Sequence, residues 1–376
     1  MRLFFIKKRF VVHGGAENYL NLLIESLKTG HDIHLLANEW APASGIHFHR
    51  VASSSLSSFA SVLSFNRNAC RLLRAMNPDC TISFERTTCQ DVYRAGEGCH
   101  AEWLRIRKDT ESRSKRLSFR LNPLHLSLLK IEKELFCSTR HIIANSMMVR
   151  ENIIRHYDVP EERISLIYNG VDLKRFRPEN RNTWRLDVRK RFSLPDDAIL
   201  LLFVGSGFKR KGLQTLMKAL SILRQGHKEI CLVAAGRDNP DYYKKLADSY
   251  RISEAVHFAD VQPKIEEFYA ASDIFVLPTL YDPFSNATLE AMASGLPVIT
   301  TKNNGASELI RDGQEGYILN ELFDAGELAA RIEQAIGNIE AMGKTARIKA
   351  EGFSIKRAAD EFLSVIEKAA VRNTGR

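Results

Sequence analysis

The chain has 376 residues, enough for two domains of ordinary size. With 44% hydrophobic and 26% charged residues it has the make-up of a globular protein, and no run of eighteen apolar residues offers a membrane span. Its net charge of +9 favours an anionic partner, while six cysteines without a single CxxC pair argue against a zinc site or a disulfide framework and for a reducing cytoplasm.

The N-terminus, MRLFFIKKRFVVHGG, is too short in its apolar part for a secretory signal, so LFFI reads as a first β-strand. A Gly-Gly turn and a helical pattern from Ala16 to Leu27 follow, then a second strand in HDIHLLA. Residues 52–64 are Ser-rich and read as loop or helix start; 66–76 are helical, and Pro78 precedes the strand-like DCTISF. HIIANS at 141–146 and ISLIYNGV at 164–171 are further short apolar runs. The pattern then restarts with AILLLFVGS (198–206), a helix in LQTLMKALSILRQ, and strands in EICLVAAG, AVHFAD, DIFVLPT and PVITT. Strands alternating with helices predict two parallel α/β domains of the doubly wound kind. The first domain spans 1–170 and the second 171–353, with a charged, turn-rich boundary in NGVDLKRFRPENRN. The amphipathic helix at 354–370 closes the pattern, within a C-terminal segment 354–376.

Two open α/β domains imply a cleft lined by the carboxyl ends of their strands, so the loops after the strands are where chemistry belongs. In VGSGFKRKGL (204–213) a strand is followed by Gly205 and Gly207, which let backbone approach a ligand, and by Lys209, Arg210 and Lys211 ahead of a helix. That set suits a diphosphate, although it lacks both the GxxxxGK[ST] and the GxGxxG pattern, and a basic surface turn gives the same string. His13, Gly14 and Gly15 form a strand-to-helix turn against which an anion or sugar ring can lie. In AGEGCHAEWLRIR, Glu97 and His100 can orient or deprotonate an acceptor hydroxyl, or serve as a solvated loop acid and a structural histidine.

The stretch YDPFSNATLEAMASGLPVI (281–299) carries Asp282 ahead of a helix and Glu290 within it. Acids near a helix start are ordinary helix polarity. One carboxylate also matches the vicinal hydroxyls of a ribose and a second matches another sugar, with the amides of Phe284, Ser285 and Asn286 between them for phosphate oxygens. Ribose, phosphate and hexose in that order make a nucleotide sugar.

Residues 282–298 resemble the E-P-F-G-x4-E-A-M-A-x-G-x-P-V signature of retaining family 4 glycosyltransferases. Asn169-Gly170-Val171-Asp172 with Phe176 is similar to that family's N-G-V-D-x3-F segment. Gly205 with Arg210-Lys211-Gly212 is similar to its phosphate-binding loop, and Gly14-Gly15 to its N-terminal glycine pair. The resemblance implies a GT-B fold, two Rossmann-like domains whose last helix crosses back to the first. It implies that Arg210 and Lys211 bind the donor diphosphate, Glu290 the ribose and the acid at 282 the donor sugar, with no metal and no other cofactor. Asp282 stands where the family usually has Glu, and Ser285 where it has Gly.

The segment around Glu97 and His100 is similar to the lipopolysaccharide core glycosyltransferases, which implies a catalytic acid at Glu97 or a catalytic His100. It also implies a UDP-sugar donor, UDP-glucose first among them, a lipopolysaccharide core acceptor, and a place on the cytoplasmic face of the inner membrane. Residues 105–140, with ten Lys/Arg against four Asp/Glu, would then meet the anionic inner-membrane surface, and 171–192 carry a second cationic excess. Apolar positions in LHLSLLKIEKELF (124–136) suit either a lipid surface or a core-facing helix. The competing readings are another glycan or lipid acceptor with another UDP-sugar such as a UDP-N-acetylhexosamine, a non-catalytic nucleotide-sugar-binding module, and a UDP-sugar epimerase. No nucleic-acid-binding motif accompanies the basic segments.

Overall fold

The computed structural model describes residues 1–9, 15–39, 45–112, 116, 119, 121–195, 197–226 and 229–371, the side chains of 15–18 and 371 excepted. The chain forms two compact units, one of Met1–Asn169 together with Ile355 onward, the other of Gly170–Ser354.

Among the described residues the first unit is built on seven parallel strands: β1 (Arg2–Ile6), β2 (Asp32–Ala37), β3 (Ile46–Arg50), β4 (Cys80–Ser83), β5 (Val92–Arg94), β6 (His141–Ala144) and β7 (Ile164–Leu166), in the order β3-β2-β1-β4-β5-β6-β7. In register, Leu3 of β1 lies between Ile33 of β2 and Cys80 of β4. Successive side chains of a strand point to opposite faces, and both faces here are covered, which is why LFFI is apolar throughout. Leu3 and Phe5 pack with Leu23 and Ile24 of the helix Gly15–Leu27 and with Phe362 and Ile366 of the helix Ile355–Val371. Phe4 and Ile6 pack on the opposite face with Phe65, Ala69 and Leu73 of the helix Ser58–Met76.

Two strands of this sheet have no counterpart in the sequence reading. β3 (IHFHR) is an edge strand of half-buried and exposed residues, and β5 has only three residues, so neither leaves an apolar run. The Ser-rich stretch resolves into a helix from Ser58, capped by the Ser57 hydroxyl, which accepts from the Ala60 amide at 3.1 Å. The expectation of no disulfide is corrected: Cys70 on this helix is bonded to Cys89, their Cα atoms 5.5 Å apart. The pairing is long-range, so no local spacing reveals it.

The second unit holds β8 (Ile199–Val204), β9 (Ile230–Ala235), β10 (Val256–Ala259), β11 (Ile274–Leu277), β12 (Val298–Thr301) and β13 (Gly316–Leu319), all parallel, in the order β10-β9-β8-β11-β12-β13. This is the doubly wound order 3-2-1-4-5-6, whose strand order reverses between β8 and β11, where such sheets bind ligands. The sequence pattern predicts five strands; the sixth, GYIL, opens on Gly316 at φ 154°, where a Cβ would collide with the Val298 backbone. Chain entry and exit lie side by side in this unit, Val171 bridging to Ser354 and donating its amide to the Phe353 carbonyl at 2.9 Å.

The cationic excess over 171–192 is corrected as well. Arg181, Arg185 and Arg189 converge on the buried Asp273 at 2.9, 3.0 and 2.7 Å. Arg175 pairs with Glu266 at 2.7 Å and Arg191 with Glu267 at 3.2 Å. These cations hold the helix Arg181–Arg191 to its own unit instead of awaiting an anionic partner.

Candidate active site

In the second unit the loop after β8 and the loop after β11 are laced together. A single helical turn, Phe208–Lys211, follows Gly207, and Arg210 donates Nη1 to the Tyr281 carbonyl at 2.8 Å. The Arg210 carbonyl accepts from the Leu280 amide at 2.9 Å and the Thr279 hydroxyl at 3.2 Å. Gly212 (φ 80°) lets the turn pass against the Pro278 carbonyl, where any Cβ would collide. Gly205 lies against the Lys211 stem: a Cβ there would meet Cγ and Cε at 3.4 Å. Thus both glycines set the position of the two cations.

Lys211 and Asp282 form a direct ion pair, each under 10% exposed. Burial lowers the Lys211 ammonium from its ordinary value, the Asp282 charge opposes that, and the neighbouring Arg210 adds to it. By the family resemblance Lys211 would meet a phosphate and Asp282 a sugar; in this structure they neutralise one another. The loop that carries Asp282 is held from β12 outward. The Asp282 amide donates to the Asn303 carbonyl (2.9 Å) and its carbonyl accepts from Gly305 (2.8 Å).

The helix Asn286–Ala293 begins next to this pair. Ser285 is its cap: its hydroxyl accepts from the Thr288 amide at 3.2 Å, and so turns toward the helix it starts. Of the three amides expected to meet phosphate, that of Ser285 already donates to Asn304 Oδ1 at 3.2 Å. Asn304 is fully buried and also donates to Thr288 and Thr300 hydroxyls, both at 3.0 Å. Phe284 is buried, and Asn286, half-buried, is the first residue of the helix. Glu290 is half-buried one turn on, and Tyr269 donates its hydroxyl to Glu290 Oε2 at 2.9 Å. Burial raises the Glu290 carboxyl, an effect that the Tyr269 bond and the Arg175 charge oppose. Oε1 has no hydrogen bond among the described residues, so this carboxylate is fixed at one oxygen and open at the other.

In the first unit, charged groups gather at the carboxyl ends of β1, β4 and β5. Lys7 follows β1, Glu85 and Arg86 follow β4, and Glu97 follows β5. Glu97 accepts from Lys7 Nζ at 3.2 Å and Arg86 Nη1 at 2.6 Å. Burial pushes its carboxyl up, but the two cations and the bonds they donate outweigh that and hold it far below the usual carboxylate range. A carboxylate so acidic is a poor general base at neutral pH and a good fixed negative charge. Burial and repulsion from Glu97 raise the neighbouring Glu85 carboxyl.

Behind them lies Glu132, 0% exposed, on the helix Pro123–Ser138. It accepts from Arg86 Nε at 3.0 Å, from the His100 amide at 2.7 Å and from the Ala101 amide at 3.3 Å, and Tyr157 donates its hydroxyl to it. The carboxylate therefore satisfies the first amides of the helix His100–Thr110 and orients the arginine that holds Glu97. His100 is buried and its Nε2 lies 3.0 Å from His125 Nδ1. Burial, then the Arg86 charge, lowers its imidazole to about 4, so it is neutral at pH 7.

Gly14 lies outside the described residues, as does His13; Gly15 is the first residue of the helix Gly15–Leu27. Lys7, Arg86, Glu132, Tyr269 and Asn304 escaped the sequence reading. Lys7 had a usable signal, a cation directly after an apolar strand, and Arg86 a weaker one, lying three residues beyond β4. Glu132 and Tyr269 sit inside helices at positions that sequence alone gives to the core or to solvent.

Two family models match the chain: Glycosyltransferase Family 4 over residues 13–175 and Glycosyl transferases group 1 over residues 185–351. Spore coat protein SA of Bacillus subtilis is 31% identical over 248 residues, a stretch that covers 61% of this chain and 66% of that protein, just under two thirds of it. The lipopolysaccharide glucosyltransferase WaaG of Escherichia coli is 26% identical over 262 residues, covering 69% of this chain and 68% of that one. A crystal structure of WaaG superposes with a TM-score of 0.85 at 22% identity, covering 97% of this chain and 99% of the other. HepE of Anabaena, in complex with UDP-glucose, gives a TM-score of 0.72 at 18% identity, with 97% and 100% coverage.

Proposed function

Since the chain belongs to the family 4 glycosyltransferases of GT-B fold, we propose that it transfers a hexosyl unit from a UDP-sugar, UDP-glucose first, to a hydroxyl of a lipopolysaccharide core acceptor, with retention at the anomeric carbon. The observation that carries the reading is the Lys211–Asp282 pair beside Arg210, at the reversal point of the second sheet. The donor diphosphate displaces Asp282 from Lys211, so that binding frees a carboxylate for the hydroxyls of the sugar. Asp282 is one methylene shorter than the family's glutamate, and donor selectivity is decided there. Glu290 receives the ribose hydroxyls on Oε1 while Tyr269 holds Oε2.

As the bond between the anomeric carbon and the β-phosphate oxygen breaks, charge accumulates on that phosphate. Arg210 and Lys211 stabilise it, as oxyanion-hole donors do. The acceptor oxygen forms its bond to the anomeric carbon on the same face, and the leaving phosphate takes the acceptor proton. Neither Glu97, held acidic by two cations, nor His100, neutral and buried, is then needed as a general base; Glu97 orients the acceptor and His100 supports its helix. Charge neutralisation by Arg210 and Lys211 makes transfer independent of divalent metal, and EDTA leaves the rate unchanged.

The lipopolysaccharide acceptor is supported by the likeness to WaaG. A peripheral position on the cytoplasmic face of the inner membrane, through 105–140, is supported by exposed Lys130 and Lys133 beside Leu121 (72%) and Leu126 (51%). Ile131, Leu135 and Phe136 of the same helix are buried in the unit, so the core claims much of its apolar face. No helix among the described residues is long and apolar enough to cross a membrane. Mass spectrometry of core lipid incubated with UDP-glucose, UDP-galactose and UDP-N-acetylglucosamine tests the reading. A hexose added from UDP-glucose supports it, and an unmodified acceptor with all three overturns it.

A further inference from the structure

One acid at the carboxyl end of the first sheet has no use in the fold. The strand order of that sheet reverses between β1 and β4, and open parallel sheets take their ligands at such a reversal. Ile6, the last residue of β1, is level with Ser83, the last of β4. Two residues on, the Lys8 amide donates to Glu85 Oε2 at 3.3 Å. Glu85 therefore stands at the reversal itself.

The fold fixes the backbone of Glu85 and leaves its carboxylate. Ser83, fully buried, donates its hydroxyl to the Glu85 carbonyl at 2.6 Å and accepts from the Glu85 amide at 3.2 Å. Thr87 donates to the same hydroxyl at 2.8 Å. The Glu85 side chain is 21% exposed, with Oε2 lying 3.9 Å from Lys7 Nζ. Oε1 has no hydrogen bond among the described residues. Glu97 differs, since Lys7 donates to one of its oxygens and Arg86 to the other. Nor does folding gain from the Glu85 charge. Burial, then repulsion from Glu97, raises the carboxyl, so the folded chain holds that proton more tightly than the unfolded one. Stability therefore falls as pH rises through the range of this group, and at neutral pH the charge destabilises the fold.

The neighbouring groups define what Oε1 would bind. A carboxylate only accepts, so a donor is required. Arg86 is already answered by Glu97 and Glu132, and Lys7 by Glu97. Ionised, Glu85, Glu97 and Glu132 outnumber the two cations, which disfavours a phosphate or carboxylate at this place. A neutral hydroxyl fits: its hydrogen goes to Glu85 Oε1, and its oxygen lies by Lys7.

We propose that Glu85 selects the acceptor, its Oε1 taking a hydrogen bond from a ring hydroxyl of a neutral, polyhydroxylated sugar. Glu97, which shares Lys7 with it, holds the same ring. The proposal rests on the transfer reading and adds to it a residue that recognises the acceptor without touching the bond that forms.

The test compares the unaltered chain with Glu85→Gln and Glu85→Ala. Oligosaccharide released from core lipid is titrated in the presence of UDP by calorimetry, and UDP is titrated alone. Glu85→Ala weakens the oligosaccharide about tenfold or more, the worth of a hydrogen bond to a charged group, and Glu85→Gln, which keeps an accepting oxygen, weakens it less. The acceptor KM rises in step, UDP affinity is unchanged, and the urea midpoint of Glu85→Gln is equal or higher. No binding of the oligosaccharide to the unaltered chain, or equal binding to Glu85→Ala, overturns the proposal. A parallel loss of UDP affinity, or a lower urea midpoint in Glu85→Gln, overturns it as well. A chain that binds the oligosaccharide but releases no UDP with it fails the transfer reading alone, and the binding comparison still decides the role of Glu85.

Discussion

Replacing Lys211 by alanine separates the two jobs of that side chain. The lysine is buried and paired with Asp282, so its loss leaves an unpaired carboxylate that is 7% exposed. Removing one partner of a buried pair costs about 3–5 kcal/mol of stability. The same change removes a charge-assisted contact to the leaving phosphate, worth about 2.7–4 kcal/mol in the transition state, or about a hundredfold to a thousandfold in rate. The double variant Lys211→Ala/Asp282→Asn pulls these effects apart. With the orphaned charge gone, stability measured by urea unfolding returns to within about 1 kcal/mol of the original chain, the scale of a neutral buried hydrogen-bonding change. Turnover, followed as UDP release, does not return. A single variant as stable as the original chain refutes the buried-pair argument. A double variant with near-normal turnover refutes the phosphate role.

Glu290→Gln lowers UDP affinity by calorimetry, and Tyr269→Phe lowers it about fivefold, the worth of one hydrogen bond; unchanged affinity in both contradicts the ribose role. Glu132→Ala removes the acceptor for two helix amides and Arg86 and costs about 3 kcal/mol. Hydrogen exchange at residues 100–103 speeds up in that variant, and unaltered protection there counts against the assignment. His100, lowered from 6.5 to about 4, stays neutral in the folded chain while the unfolded chain binds a proton below 6.5. Its contribution is therefore present above pH 6.5 and is lost as pH falls toward 4, by up to about 3 kcal/mol. The His100→Gln variant has a correspondingly flatter acid limb in urea unfolding, and an identical limb contradicts the shift.

Strand-by-strand, the fold was legible wherever a strand is buried on both faces, since LFFI, AILLLFV and EICLVAA admit no other use. It was not legible at β3, where exposed histidines interrupt the run, nor at β13, where four residues open on a glycine. The candidate phosphate loop at 204–213 stood out because glycines and cations recur there in one short string. Its state did not: whether Lys211 waits for phosphate or rests on Asp282 depends on two loops seventy-one residues apart. The same holds for Glu132, a charged residue inside a helix whose partners come from three other segments. The basic run at 171–192 misled for the converse reason, its acids lying some eighty residues onward.

Acceptor-dependent release of UDP tests the central claim most directly. UDP-glucose is incubated with the chain, with and without isolated lipopolysaccharide core lipid, and free UDP is measured over time. The account predicts release that requires the acceptor and is lost in Lys211→Ala/Asp282→Asn. No release with any UDP-sugar, or the same release without acceptor, contradicts it.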